Sequence, residues 1–268
     1  MINEAEVLTS DETAIVFSQF LANSKIISLF NNLETPFPLA YFKVGVSNIG
    51  VYNKKSNHLF FTSTTKPDLA LDMFFYIRKK YLIHAVEGSR VVISEIDKFL
   101  KTEIGLSLSV CELYIMSKPL ILESESDLIV RNIVEGNDLI ELGAPTLISA
   151  FAAERLNSLY SEDKSVALIK SKTRHFFGLN VSGSIVSIGA WIREASGYGC
   201  ISYIYTATEH RGKGYCKTLL KHVLEHAQSR YRGAFLFVEK DNAPAINLYS
   251  DLSFSKDDEI TQLKLEMK

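Results

Sequence analysis

The sequence is poor in cysteine, tryptophan and proline, with three, one and six of them in 268 residues, and it has no excess of charge. Cys111, Cys200 and Cys216 are odd in number and unclustered, which argues against a disulfide framework and for reduced structural thiols in a cytoplasmic protein. A net charge of −2 gives no bulk attraction to nucleic acid or to an anionic membrane, so any basic site must be local. No uncharged apolar run reaches the ~20 residues a membrane helix needs. The opening Met-Ile-Asn-Glu-Ala-Glu lacks the basic-then-apolar layout of a secretory signal. Neither a nucleic-acid nor a membrane partner is expected. What remains is the composition of a globular protein, 47% hydrophobic, at a length that fits two domains of ~100–150 residues each.

The most informative stretch runs from Ser202 to Lys221. Ile201, Tyr203 and Tyr205 alternate with smaller residues as a strand requires. A basic, Gly-rich turn follows, and then Tyr215, Leu219, Leu220, Val223, Leu224 and Ala227 recur at helical spacing. The turn is therefore a helix N-terminus. With Gly212 and Gly214 there, the first backbone N–H groups are unpaired and no Cβ keeps a ligand away. The positive helix end, with Arg211, Lys213 and Lys217 beside it, suits a diphosphate. Arg-Gly-Lys-Gly is too short for a Walker A loop, and Thr218 stands where a dinucleotide fingerprint needs its third glycine.

Downstream, Ala234 to Val238 is a continuous apolar run that reads as a buried strand. Asp241 and Asn242 are N-cap residues, and Pro244 fits a first turn, so a second helix carries Asn247, Leu248 and Tyr249.

The first of these stretches resembles the pyrophosphate loop of the GNAT acetyltransferases, whose pattern is Arg/Gln-x-x-Gly-x-Gly/Ala after such a strand. Arg211, Gly214 and Cys216 fall on its fixed positions, with Cys216 in place of Gly or Ala. The second resembles the family's Asn-x-x-Ala-x-x-Leu-Tyr-x-x-Leu-Gly-Phe segment, here Asn242 to Phe254, with Ser253 in place of Gly at a helix C-terminus where glycine usually supplies the left-handed residue.

That resemblance implies an acyl-CoA-dependent N-acyltransferase, most simply using acetyl-CoA, in which an amine attacks the thioester directly and no metal takes part. Backbone groups of Ile204, Tyr205 and Thr206 would pair with the acyl carbonyl and pantetheine. Residues Arg211, Gly212, Lys213, Gly214, Tyr215, Cys216 and Lys217 would hold the diphosphate. Asn242 would orient water or the pantetheine arm, and Tyr249 would protonate the departing thiolate. Glu154, Glu194 and Glu239 are the general bases open at this point, as is a water chain, and Glu209 is expected to face solvent. The alternative is a non-catalytic acyl-CoA-binding or regulatory protein that kept the loop. The acceptor amine, the acyl length and the oligomeric state have no code in the sequence.

The chain before the loop alternates between strand and helix periods. Two short helices are expected within residues 11–34, then strands over Tyr41–Val46, Gly50–Tyr52 and His58–Thr62. A helix over Leu69–Lys80, a strand over Leu82–Val86, a helix over Ser89–Lys101 and a strand over Leu108–Met116 complete the first half. After Pro119 come a strand at Leu128–Arg131, an interrupted helical stretch over Asp138–Leu159, and strands over Ser165–Lys170, Phe176–Val181, Ile185–Trp191 and Tyr198–Thr206. Leu263, Leu265 and Met267 alternate as a final strand. The expected fold class is α/β (α+β), with an N-terminal α/β domain over 1–118, and the resemblance implies a domain of the GNAT fold over 126–268. The first half is either a degenerate repeat of the same fold or an unrelated α/β cap. The layout resembles the glycine N-acyltransferase-like branch of the family.

One further motif competes. His222-Val-Leu-Glu-His226 has the His-x-x-Glu-His spacing of inverted zinc peptidases. Val223 and Leu224 belong to the apolar stripe of the helix and few residues follow, so two surface histidines are the preferred reading.

Overall fold

The computed structural model describes residues 3–5, 39–44, 48–54, 57–61, 65–104, 109–120, 132–156, 158–195 and 197–265. The helices expected within 11–34, the strand expected at 128–131 and Met267 lie outside the described residues. In chain order the first elements are β1 (Asn3–Ala5), β2 (Leu39–Val44), β3 (Asn48–Asn53), β4 (His58–Phe61), α1 (Pro67–Arg78), β5 (Ala85–Gly88), α2 (Arg90–Ile104) and β6 (Ser109–Pro119). They are followed by β7 (Ile133–Glu135), α3 (Asp138–Glu141), α4 (Ala144–Leu156), α5 (Glu162–Ile169), β8 (His175–Val181), β9 (Ser184–Ala195) and β10 (Tyr198–Thr206). The last are α6 (Tyr215–His226), β11 (Gly233–Glu239), α7 (Ala243–Asp251) and β12 (Ser255–Lys264). They form two compact units, one of residues 1–115, 238–243 and 256–268, the other of 116–237 and 244–255.

In the first unit the strands lie in the order β1, β2, β3, β4, β5, β12. The β4–β5 pair is parallel and its neighbours are antiparallel, with Leu263 opposite Val86. The chain's last strand thus lies inside the first unit's sheet, between β5 and β6, over a longer span than the alternation of Leu263, Leu265 and Met267 predicts. Helix α1 buries Ala70, Met73, Phe74 and Ile77, the i, i+3, i+4, i+7 stripe of an amphipathic helix. Its start has Pro67 in the first turn, and the Lys66 N–H donates to Asn48 Oδ1 at 2.9 Å. From α2, Val92, Ile93, Ile96 and Leu100 enter the same core as Phe42, Leu59 and Val86. Strand β5 begins three residues later than Leu82. Leu82 is exposed, and its carbonyl accepts the Tyr52 hydroxyl at 2.6 Å, so tertiary hydrogen bonding takes that backbone out of the ladder.

In the second unit the order is β11, β10, β9, β8, β7, with β10–β11 parallel and the remaining pairs antiparallel. Alternation along β8 sends Phe176 to one face, against Leu139, Leu147, Ile148 and Ile169 of α3 to α5, and Phe177 to the other, against α6. Between α4 and β8 the structure corrects the sequence reading: of Ser165–Lys170, expected as a strand, Ser165–Ile169 lies in helix α5 and Lys170 is its C-cap. A short run such as Val166-Ala-Leu-Ile is ambiguous by periodicity, and the deciding signal is upstream. Ser161 caps the helix, its Oγ accepting the Lys164 N–H at 3.2 Å, and Glu162 and Asp163 occupy the first turn. With α5 helical, three strands stand between the helices and the Gly-rich loop.

Ser161→Ala removes one cap hydrogen bond and is expected to cost about 1 kcal/mol in urea unfolding. A variant as stable as the wild type would place the start of α5 elsewhere.

Candidate active site

The site is built where β10 leaves β11. The two strands pair in parallel over Tyr198–Cys200 against Gly233–Phe235, and from Ile201 onward β10 keeps its ladder to β9 among the described residues. Ser202 pairs with Ala190 and Tyr205 with Ile188, so one extra residue of β10 is accommodated between them, a β-bulge. Tyr203 carries it in the left-handed region, at φ 55°. For a bulky residue that conformation costs on the order of 1–2 kcal/mol. Burial of the ring against Phe151 and Phe176, at centroid distances of 5.2 and 5.1 Å, offsets it. The alternation of Ile201, Tyr203 and Tyr205 expected from sequence holds in burial, all three being buried with half-buried residues between them, while the ladder register shifts at Tyr203. Ile204, Tyr205 and Thr206 consequently lie on a strand whose other edge has left its partner.

Beyond Thr206 a single 3₁₀ turn, Thr208–His210, leads to the loop. Gly212 and Gly214 have φ of 75° and 79°, and Gly214 is the N-cap of α6. Apart from chain neighbours, no atom among the described residues lies within 4 Å of the place a Cβ would occupy at either glycine. The glycines therefore serve backbone conformation and leave open space in front of the helix end. The N–H groups of residues 212–217 make no hydrogen bond among the described residues. Among the cations, Lys213 Nζ donates to the Glu209 carbonyl at 3.1 Å and Lys217 Nζ to Asp251 of α7 at 3.1 Å. Glu209 itself is exposed.

Arg211 has an unexpected role. Its Nε donates to the Thr206 carbonyl at 3.0 Å and its Nη2 to Glu154 of α4 at 2.9 Å, with the guanidinium 5.2 Å from the centroid of the Tyr205 ring. The Tyr205 hydroxyl donates to the other oxygen of Glu154. Hydrogen bonds from Tyr205, then from Arg211, hold the Glu154 carboxyl below its usual range, while burial and then the Glu154 contact raise the Tyr205 phenol. This clasp ties strand end, loop and α4 together, and it was invisible in the sequence because its members are 57 residues apart. It also makes Glu154 a poor general base. Glu194 is exposed on β9, and Glu239 lies in the first unit, 3.9 Å from Cys111 Sγ.

Tyr249 of α7 is buried, and its hydroxyl has no hydrogen-bond partner among the described residues. Burial, and then the neighbouring Cys216, push its pKa upward, so the phenol keeps its proton at neutral pH. The Cys216 thiol, enclosed beside the Thr206 and Ser187 hydroxyls, is pushed up to about 11 by burial. It is a protonated thiol, not a nucleophile. Asn242 directly precedes α7, its N–H donating to the Glu239 carbonyl at 3.0 Å. Ser253, in place of the usual glycine, takes the left-handed conformation at φ 66°. At the other end of α6, His222 is half-buried and His226 exposed, and they gather with His175 and Glu135.

Residues 145–254 match the profile of the Acetyltransferase (GNAT) family. The chain is 36% identical over 83 residues to the uncharacterized N-acetyltransferase YobR of Bacillus subtilis, a stretch that is 30% of this chain and 32% of YobR. It thus spans about a third of the length of that curated relative. The chain is also similar to solved GNAT structures: a GCN5-related N-acetyltransferase from Sphaerobacter thermophilus (TM-score 0.58, 13% identity, 98% of this chain and 94% of that one). An acetyltransferase of the GNAT family from Colwellia psychrerythraea has a TM-score of 0.54 at 15% identity, over 99% of this chain and 100% of that one. The architecture is the mixed α/β GNAT fold.

The clasp predicts a pH effect. A carboxylate held below its usual pKa contributes stability above its unfolded value, and that contribution is lost as pH falls through the folded value. Glu154→Gln is expected to flatten the acid side of a stability-against-pH curve, below about pH 4.5. An unchanged acid limb would show that the clasp carries no stability.

Proposed function

We propose that the protein is an acyl-CoA-dependent N-acyltransferase, with acetyl-CoA as the acyl donor and an amine as acceptor. The observation that carries this reading is the set of amides at residues 212–217 without a partner among the described residues, around two left-handed glycines with open space beside them, next to a strand end that has parted from its neighbour. Linked phosphates suit the first, since several N–H groups and a helix end converge there. The extended pantetheine arm suits the second, since backbone groups of Ile204, Tyr205 and Thr206 that β11 no longer engages would pair with an amide chain as another strand would, apart from the Tyr205 and Thr206 carbonyls, which accept from Ser187 and Arg211.

In this reading Arg211 acts by position. Tied to Thr206 and Glu154, it sets where the loop begins, and the backbone of Gly212 to Lys217 meets the diphosphate. The amine attacks the thioester carbon, the tetrahedral oxyanion is held by strand amides, and the C–S bond breaks with its electron pair going to sulfur. Tyr249 enters the reaction protonated and donates to that sulfur as charge builds. A protonated Cys216 favours direct transfer over an acyl-enzyme on that thiol. No step requires a metal. Asn242, ahead of α7, orients water or the pantetheine arm. Since Glu154 is clasped, deprotonation of the amine falls to Glu194, Glu239 or water.

We further infer that the acetyltransferase domain extends over 126–268, that residues 1–118 form the N-terminal domain of a glycine N-acyltransferase-like layout, and that the protein is cytoplasmic. The three free cysteines agree with a reducing compartment. Among the described residues no helix is long and apolar enough to cross a membrane.

Calorimetry with coenzyme A is expected to give saturable binding. Thiol release from acetyl-CoA across an amine panel separates an enzyme from a protein that only binds acyl-CoA, which would be protected against unfolding without turnover. Tyr249→Phe is expected to lower kcat roughly 10²–10⁴-fold while leaving coenzyme A affinity near that of the wild type. A kcat within a few-fold of wild type removes the phenol from the mechanism. Because the pKa of Tyr249 is raised, its required protonated form is present throughout the range below about pH 10, and kcat is expected to show no alkaline fall from this group there.

A further inference from the structure

At the end of α6 away from the loop, three imidazoles surround one buried phenyl ring. His175 stacks on Phe177 at 4.5 Å and 15°, and His226 and His222 meet the same ring edge-on at 5.2 and 6.0 Å. Glu135 of β7 closes the group: its Oε2 is 2.7 Å from His175 Nε2 and its Oε1 is 3.8 Å from His222 Nε2. One donor atom from each of Glu135, His175 and His226 lies within 4.8 Å of the others. A tetrahedral centre with bonds of about 2.0–2.1 Å sets its donors roughly 3.3–3.5 Å apart, so small side-chain rotations bring the three to that spacing.

We propose that Glu135, His175 and His226 bind a divalent transition metal of the zinc class, with His222 or water as the fourth ligand. Two imidazoles and one carboxylate select zinc, nickel or copper over magnesium and calcium, which prefer an all-oxygen shell. His222 and His226 stand four residues apart, hence one turn apart on one face of α6, the spacing at which a helix offers two imidazoles to one ion. Phe177, buried and in contact with all three rings, limits their rotamers and excludes water from one side. The ligands come from an edge strand, its neighbour and a helix, so the ion would fasten the three-residue β7 to α6.

The site is separate from the acyl-transfer chemistry. The loop and His226 are at opposite ends of a 12-residue helix, about 17 Å at 1.5 Å per residue. The ion would act on the stability of the support for the loop, and its binding is readable without any activity.

The test uses the tag-free full chain stripped with a chelator and titrated with Zn²⁺, with Co²⁺ as the spectroscopic probe. Expected are one Zn²⁺ per chain at micromolar affinity or tighter, a rise in Tm on saturation, and visible Co²⁺ bands of a tetrahedral nitrogen and oxygen site. His226→Ala, at an exposed position that leaves folding intact, and His175→Ala are each expected to weaken binding at least about 10–100-fold. His222→Ala is expected to weaken it less. Stoichiometric Zn²⁺ binding that survives both His226→Ala and His175→Ala, or no binding by the wild type at micromolar Zn²⁺, overturns the assignment.

Discussion

The second unit depends on one backbone event, the parting of β10 from β11 after three paired residues. A parallel pair that continued would spend the strand's hydrogen-bonding groups on its neighbour, and nothing would be left for an extended ligand. The extra residue at Tyr203 ends the regular pleat, and its left-handed φ is tolerated because its ring is packed in the core of α3 to α5. Strain in the backbone and burial of the side chain are thus two sides of one arrangement. The core holds the strand in a shape it would not adopt alone.

The loop that follows inherits its direction from that strand. Arg211 hydrogen-bonds back to Thr206, the last residue of β10, and across to Glu154, whose other oxygen takes the Tyr205 phenol. A guanidinium with two acceptors and a ring beside it has little freedom, so the residues after it start from a defined place. Gly212 and Gly214 then turn the chain into α6 with the left-handed conformations that side chains resist. The first turn of α6 places Cys216 beside Tyr249, and the Lys217–Asp251 ion pair bridges α6 and α7 at the surface. Surface pairs of that kind contribute little stability.

Much of this was legible in the order of residues. Glycines at 212 and 214 between a β-branched, aromatic run and a helical stripe specify strand, turn and helix by local rules, and the same rules place Pro67 and Pro244 in first turns. Ser253 in the left-handed region answers to the helix-end position where glycine is usual. Where the local signals conflicted, the reading failed. Val166 to Ile169 is apolar enough for a strand, and only the cap at Ser161 and the acidic first turn reveal the helix. Leu82 has strand character and is withheld from the sheet by the Tyr52 hydroxyl.

The sequence by itself determined the helix end, its glycines and the buried stripe behind it, because these depend on φ preferences and on a 3.6-residue period that act within a few neighbours. Tertiary structure alone decided that Arg211 closes a clasp instead of reaching outward, that β10 bulges at Tyr203, and that His226 meets His175 and Glu135. Those depend on contacts between residues well separated along the chain, and no short-range rule carries their geometry. They exist only once two helices and a sheet have been packed against each other.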